Sequence, residues 1–224
     1  MSAAPQPLLA TSEPLPPAPF GAWLRATIAT LDKDVPADVP CGSCNYCCRT
    51  FHQIHLRPGE NRARKRLPKE YLSAARGLPP GYLLLGYTEE GACPVLIDGR
   101  CTIYEDRPLV CRTYDCRMYA ATGVAPDRAE IAAQVRRWRF DYPSAEDREL
   151  QEAVLAAVQF IREHRECLPS DAAREQPIRV ATLAVYAHAR FLPGATLGAR
   201  RRPVTDRDRA FAVADANEEL FGDG

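Results

Sequence analysis

Four thiols fall within eight residues of this chain, in the stretch Cys41-Gly42-Ser43-Cys44-Asn45-Tyr46-Cys47-Cys48. Four more follow at Cys93, Cys101, Cys111 and Cys116, so that of nine cysteines only Cys167 stands outside the window. A thiolate is a soft, charged ligand, and thiols at this density point to a metal ion or an iron–sulfur cluster. Two-residue spacing, as in Cys41-x2-Cys44-x2-Cys47, lets a tight turn bring sulfurs onto one metal. Cys47 and Cys48 are neighbours and chelate one ion less readily, so they suit two metals or two corners of one cluster. Eight thiolates fill two tetrahedral zinc sites, while four hold one iron–sulfur cluster. The pattern itself does not say which metal.

The compartment bears on this reading. Residues 1–20 carry no basic residue and no continuous apolar stretch, so no secretory signal is expected. No apolar run approaches the roughly 18 residues of a membrane helix. A cytoplasmic location is therefore expected, where clustered cysteines bind metal or do redox chemistry more often than they form structural disulfides. The formal net charge of +0 gives no argument for a nucleic-acid or membrane partner.

The elements that must position the thiols are legible in part. Residues 1–19 hold six prolines and read as a flexible tail. Phe20, Trp23, Leu24, Ile28 and Leu31 recur at helical spacing. On a helix, Cys41, Cys44, Cys47 and Cys48 would share an arc of about 120°; Pro40 and Gly42 indicate a turn leading into one. Residues 51–56 alternate like a strand, 60–76 look helical with a break at Pro68, and 82–85 are a second strand-like run. Segment 57–76 is basic and is either a solvated face, counter-charge for thiolates, or a docking face for an acidic protein partner. From residue 127 the pattern is helical, with a capping box at Ser144–Asp147 and an apolar stripe of Leu150, Val154, Ala157, Val158 and Ile161. Further helices are expected over 178–192 and after Thr205, the last with Phe211, Ala214 and Phe221 facing the core.

The expected fold is mainly α: a helical body with an irregular cysteine-rich metal-binding lobe and little or no β. Its expected parts are the tail 1–19, an N-terminal helix plus cysteine region over 20–120, and a helical region over 121–224 packing on it as one compact domain. His52 and His55 are read as loop or strand residues, since eight cysteines already supply ligands. Cys167 is read as a lone thiol, and His164 and His188 as ordinary helix residues.

The cysteine spacing, with Cys93-Pro94-Val95-Leu96 and the run Cys101-Thr102-Ile103-Tyr104-Glu105-Asp106-Arg107-Pro108-Leu109-Val110-Cys111-Arg112-Thr113-Tyr114-Asp115-Cys116, resembles the YkgJ-type CxxCxxCC cysteine-cluster family. Its members are described as zinc- or iron-chelating, or iron–sulfur, proteins, and this description, with the convergence of the first four thiols, tilts the expectation slightly towards an iron–sulfur cluster over zinc. The resemblance covers roughly residues 41–116 and matches all eight family cysteines, which implies a metal site at those positions. Arg107 and Arg112 sit inside the motif, where a guanidinium offsets thiolate charge and donates hydrogen bonds to sulfur. Flagellin lysine N-methylases are similar in this region and are associated with an iron–sulfur cluster. That keeps an alternative open, an iron–sulfur-dependent enzyme such as a lysine N-methylase-like or redox protein. No glycine-rich dinucleotide or S-adenosylmethionine loop, P-loop or nucleophile elbow supports it.

Overall fold

The computed structural model describes residues 13–33, 35–37, 39–41, 44–49, 54–168, 176–198 and 201–221. The chain forms two units, one spanning Asp34–Tyr114 and the other made of Glu13–Lys33 with Asp115–Asp223.

The cysteine-rich unit is built from short pieces. Strand Leu83–Leu85 is the centre of a three-stranded antiparallel sheet, flanked by Ile54–Leu56 and Leu72–Ala74, with both Ile54 and Leu72 opposite Leu85. Helix Asn61–Arg66 stops at Leu67, whose backbone is extended because the next residue is Pro68. A 3-10 turn, Lys69–Tyr71, then leads into strand Leu72–Ala74, where the sequence had suggested continued helix. Strands Leu96–Ile97 and Arg100–Cys101 form a hairpin. Its two-residue loop, Asp98-Gly99, has φ of 49° and 74°, the left-handed pair that an Asp-Gly turn supplies. Helix Leu109–Thr113 ends the unit. Ile54, Leu56, Ala63, Leu67, Leu85, Val95 and Ile103 make its apolar core.

The expectation of a mainly α chain with little or no β is thus corrected. Of the described residues 52% are helical and 11% strand, in four small sheets, a mixed α/β composition. The reason is physical: these strands are two or three residues long. The runs at 51–56 and 82–85 show some alternation, but strands this short carry too little pattern to reveal the other pairs, which are set by partners elsewhere in the chain.

The second unit is helical. Helix Ala145–Glu163 buries Leu150, Ala153, Val154, Ala157, Val158 and Ile161, and packs on helix Pro177–Ala187, which buries Val180, Leu183, Ala184 and Val185. Helix Asp206–Phe221 buries Val213 and Ala216, but Phe211 is 55% exposed and is not part of the core stripe expected for it. Ala18–Pro19 pairs in parallel with Phe140–Asp141. Phe20, Trp23, Phe140 and Tyr142 form an aromatic cluster with centroids 4.9–5.6 Å apart. Among the described residues no helix is long and apolar enough to cross a membrane.

Two carboxylates lock this unit. Asp115, 1% exposed, accepts from the Trp23 indole at 2.9 Å and from the Arg117 guanidinium at 2.8 Å, so its buried charge is matched and hydrogen-bonded. Asp147 completes a capping box with Ser144 and also accepts from the Gly21 amide at 2.8 Å. One carboxylate therefore serves the N-terminal amides of helices Phe20–Lys33 and Ala145–Glu163. A Cβ at position 21 would lie 2.7 Å from Asp147 Oδ1. We predict that Gly21→Ala lowers stability by about 1–3 kcal/mol, measured by denaturant unfolding. The Ser144 hydroxyl, followed by the Gly21 amide, holds the Asp147 pKa below its ordinary 3.8. That stabilisation is complete above the unfolded value and is lost as pH falls through the lower native one. Below about pH 4 the stability of the wild type should fall more steeply than that of Asp147→Asn; parallel pH profiles would contradict this.

Candidate metal centre

The first cysteine segment is a turn followed by a tight coil. The Cys44 amide donates to the Cys41 carbonyl at 2.9 Å, and a 3-10 turn follows at Tyr46–Cys48. The expected turn leading into a helix is present in this shortened form. The segment is stitched to the second one twice. The Cys93 amide donates to the Cys48 carbonyl at 2.8 Å, and Asn45 Nδ2 donates to the Gly99 carbonyl at 3.2 Å, beside the hairpin that carries Cys101.

Five of the expected site residues share one neighbourhood. Cys93 lies in the apolar core of the unit, and Cys48, Cys101 and Cys111 pack against it. Cys47 joins them through its neighbour, because the Cys48 thiol donates to the Cys47 sulfur, lowering the Cys47 pKa and raising that of Cys48. Arg107 lowers Cys47 as well. Burial is the main cause that pushes Cys93 and Cys111 up; the charge of neighbouring thiolates adds to it. Cys48, Cys93 and Cys111 thus each respond to the charge of two or more other cysteines. Among the described residues no three Cys, His, Asp or Glu side chains are arranged to hold a metal ion. The nine cysteines are thiols, not disulfides.

The other expected residues are placed as follows. Cys41 and Cys44 are half-buried in the opening turn. Cys116 belongs to the second unit, where it is buried and the Trp138 indole donates to its sulfur at 3.1 Å. Arg107 Nε donates to the Tyr104 carbonyl at 2.7 Å, and its guanidinium lies 3.6 Å over the Tyr104 ring. From there its charge reaches Cys47 and Cys111. Arg112 Nε donates to the Arg107 carbonyl at 2.9 Å, bracing the turn that presents Arg107. In strand Ile54–Leu56 the flanking residues are buried in the core, which sends His55 to the opposite face. His52 lies outside the described residues. Cys167 closes a 3-10 turn after helix Ala145–Glu163. Arg64, Lys65, Arg66 and Lys69 are exposed.

Tyr87 was not singled out by sequence reasoning. It packs against the same core, and its pKa is raised by burial and then by Cys93, Cys111, Cys48 and Cys47. A lone tyrosine in a turn-rich stretch carries no signal of such a role.

The donor chemistry fits a thiophilic cation. Several sulfurs crowd one partly buried place, their ionised forms repel one another, and a positive ion among them would relieve that repulsion. No curated protein and no solved structure matches the chain. A family model does, over residues 40–136, which include all eight clustered cysteines. The matching model is that of the CxxCxxCC family, described as a "putative zinc- or iron-chelating domain".

Proposed function

We propose that the chain is a metal-binding protein whose thiolate donors come from Cys41, Cys44, Cys47, Cys48, Cys93, Cys101, Cys111 and Cys116, with Cys47, Cys48, Cys93, Cys101 and Cys111 as the inner set. The observation that supports this most is the gathering of Cys48, Cys93, Cys101 and Cys111 on one apolar core, with Cys47 joined to them through Cys48. Five exceeds the four ligands of a single tetrahedral zinc ion and favours a centre with more than one metal. Adjacent Cys47 and Cys48 suit two irons of one cluster, so we adopt an iron–sulfur cluster, with paired zinc as the competing form. When bound, such a group links the loops that carry its ligands and, if it is a cluster, supplies one-electron chemistry. The core beside the sulfurs keeps water off one side, and Arg107 places a permanent positive charge near Cys47 and Cys111.

Anaerobic purification with metal and sulfide analysis tests this reading. A brown protein with iron and acid-labile sulfide is expected. A colourless protein with zinc would keep the centre and replace the cluster, and a protein that retains neither metal would overturn the reading. Arg107→Ala is predicted to weaken metal retention about tenfold or more in chelator competition, with Arg107→Lys closer to wild type. Equal retention by all three would remove Arg107 from the centre's surroundings.

A further inference from the structure

Helix Leu109–Thr113 carries Cys111, and its first amides need acceptors. The preceding residue, Pro108, has no side-chain oxygen and makes no cap. The acceptor instead comes from Glu60, 49 residues earlier, whose Oε1 accepts from the Leu109 amide at 2.5 Å. Its Oε2 accepts from the Arg57 amide at 2.6 Å. Glu60 is also the residue at which helix Asn61–Arg66 begins, and its own carbonyl accepts from the Arg64 amide at 3.0 Å. Glu60 thus stands at the start of one helix while its carboxylate holds the start of another. A second tie runs beside it, since Arg62 Nη2 meets Asp106 Oδ1 at 2.8 Å, one residue before Arg107.

We infer that Glu60 is a positioning residue of the metal centre, acting through the Leu109 amide on the orientation of Cys111. The inference rests on the reading of this region as a thiolate metal site. Cys111 is two residues from the capped amide, in a helix of five residues. A helix that short has little stiffness of its own, so its direction follows whatever holds its first turn. Its other end is held by the Ala37 amide, which donates to the Arg112 carbonyl at 2.7 Å. The sulfur of Cys111 is therefore set between two remote contacts, of which Glu60 is the charged one and the stronger. Part of the basic segment 57–76 accordingly braces the site from within its own unit.

Cobalt(II) titration of the metal-free full-length chain tests this, with Glu60→Gln and Glu60→Ala beside wild type. The readouts are the cobalt dissociation constant by chelator competition, the thiolate-to-cobalt absorption bands, and the thermal midpoint without metal. Glu60→Ala is expected to bind cobalt about 10–100-fold more weakly, with altered bands. Glu60→Gln should fall between, because its amide nitrogen faces one of the two N–H groups that the carboxylate satisfied. A purely structural role would move the thermal midpoint alone. Wild-type affinity and bands in Glu60→Gln would overturn the inference, and this variant decides the matter should Glu60→Ala fail to fold. A wild-type chain that takes up no cobalt and, as purified, holds neither iron nor zinc would overturn the metal-centre reading itself, a failure visible before any variant is compared.

Discussion

Negative charges on crowded sulfurs repel one another, and an apolar core beside them removes the water that would screen the repulsion. This is the constraint on which the cysteine-rich unit depends. Cys48, Cys93, Cys101 and Cys111 are packed against a core of Ile54, Leu56, Leu85, Val95 and Ile103. In that setting burial disfavours ionisation of Cys93 and Cys111, while Arg107 and the Cys48 thiol favour it at Cys47. Positive charge is what the arrangement asks for, and the chain itself supplies only part of it.

The two units solve the problem of ordering in different ways. The helical unit uses apolar stripes and two buried carboxylates, Asp115 and Asp147, whose hydrogen bonds are complete enough to hold charge inside. The cysteine-rich unit has strands of two or three residues, a six-residue helix and a five-residue helix. None of these is stable by itself. Their order comes from cross-links between distant segments: Asn45 to Gly99, Cys93 to Cys48, Glu60 to Leu109 and Arg62 to Asp106. A bound metal centre would add to that same set.

Where the pattern was long and periodic, the sequence was enough. Helix Phe20–Lys33 follows from Phe20, Trp23 and Leu24, and the start of helix Ala145–Glu163 from the box at Ser144. The cysteine spacing was equally plain, and the family match over residues 40–136 agrees with it. The runs at 51–56 and 82–85 were legible as strands, but Leu72–Ala74 was hidden inside an expected helix because it becomes a strand only by pairing with Leu83–Leu85. Phe211 sits at a helical spacing from Ala214 yet faces solvent, since amphipathicity does not say which apolar residues a neighbour will cover. Glu60 was equally opaque: a carboxylate in a basic stretch reads as surface charge until its partner amide is known.

X-ray absorption at the metal edge of the anaerobically purified protein is the most direct test of the central claim. The account predicts a first shell made only of sulfur, at about 2.3 Å. A shell dominated by nitrogen or oxygen at about 2.0–2.2 Å would contradict it.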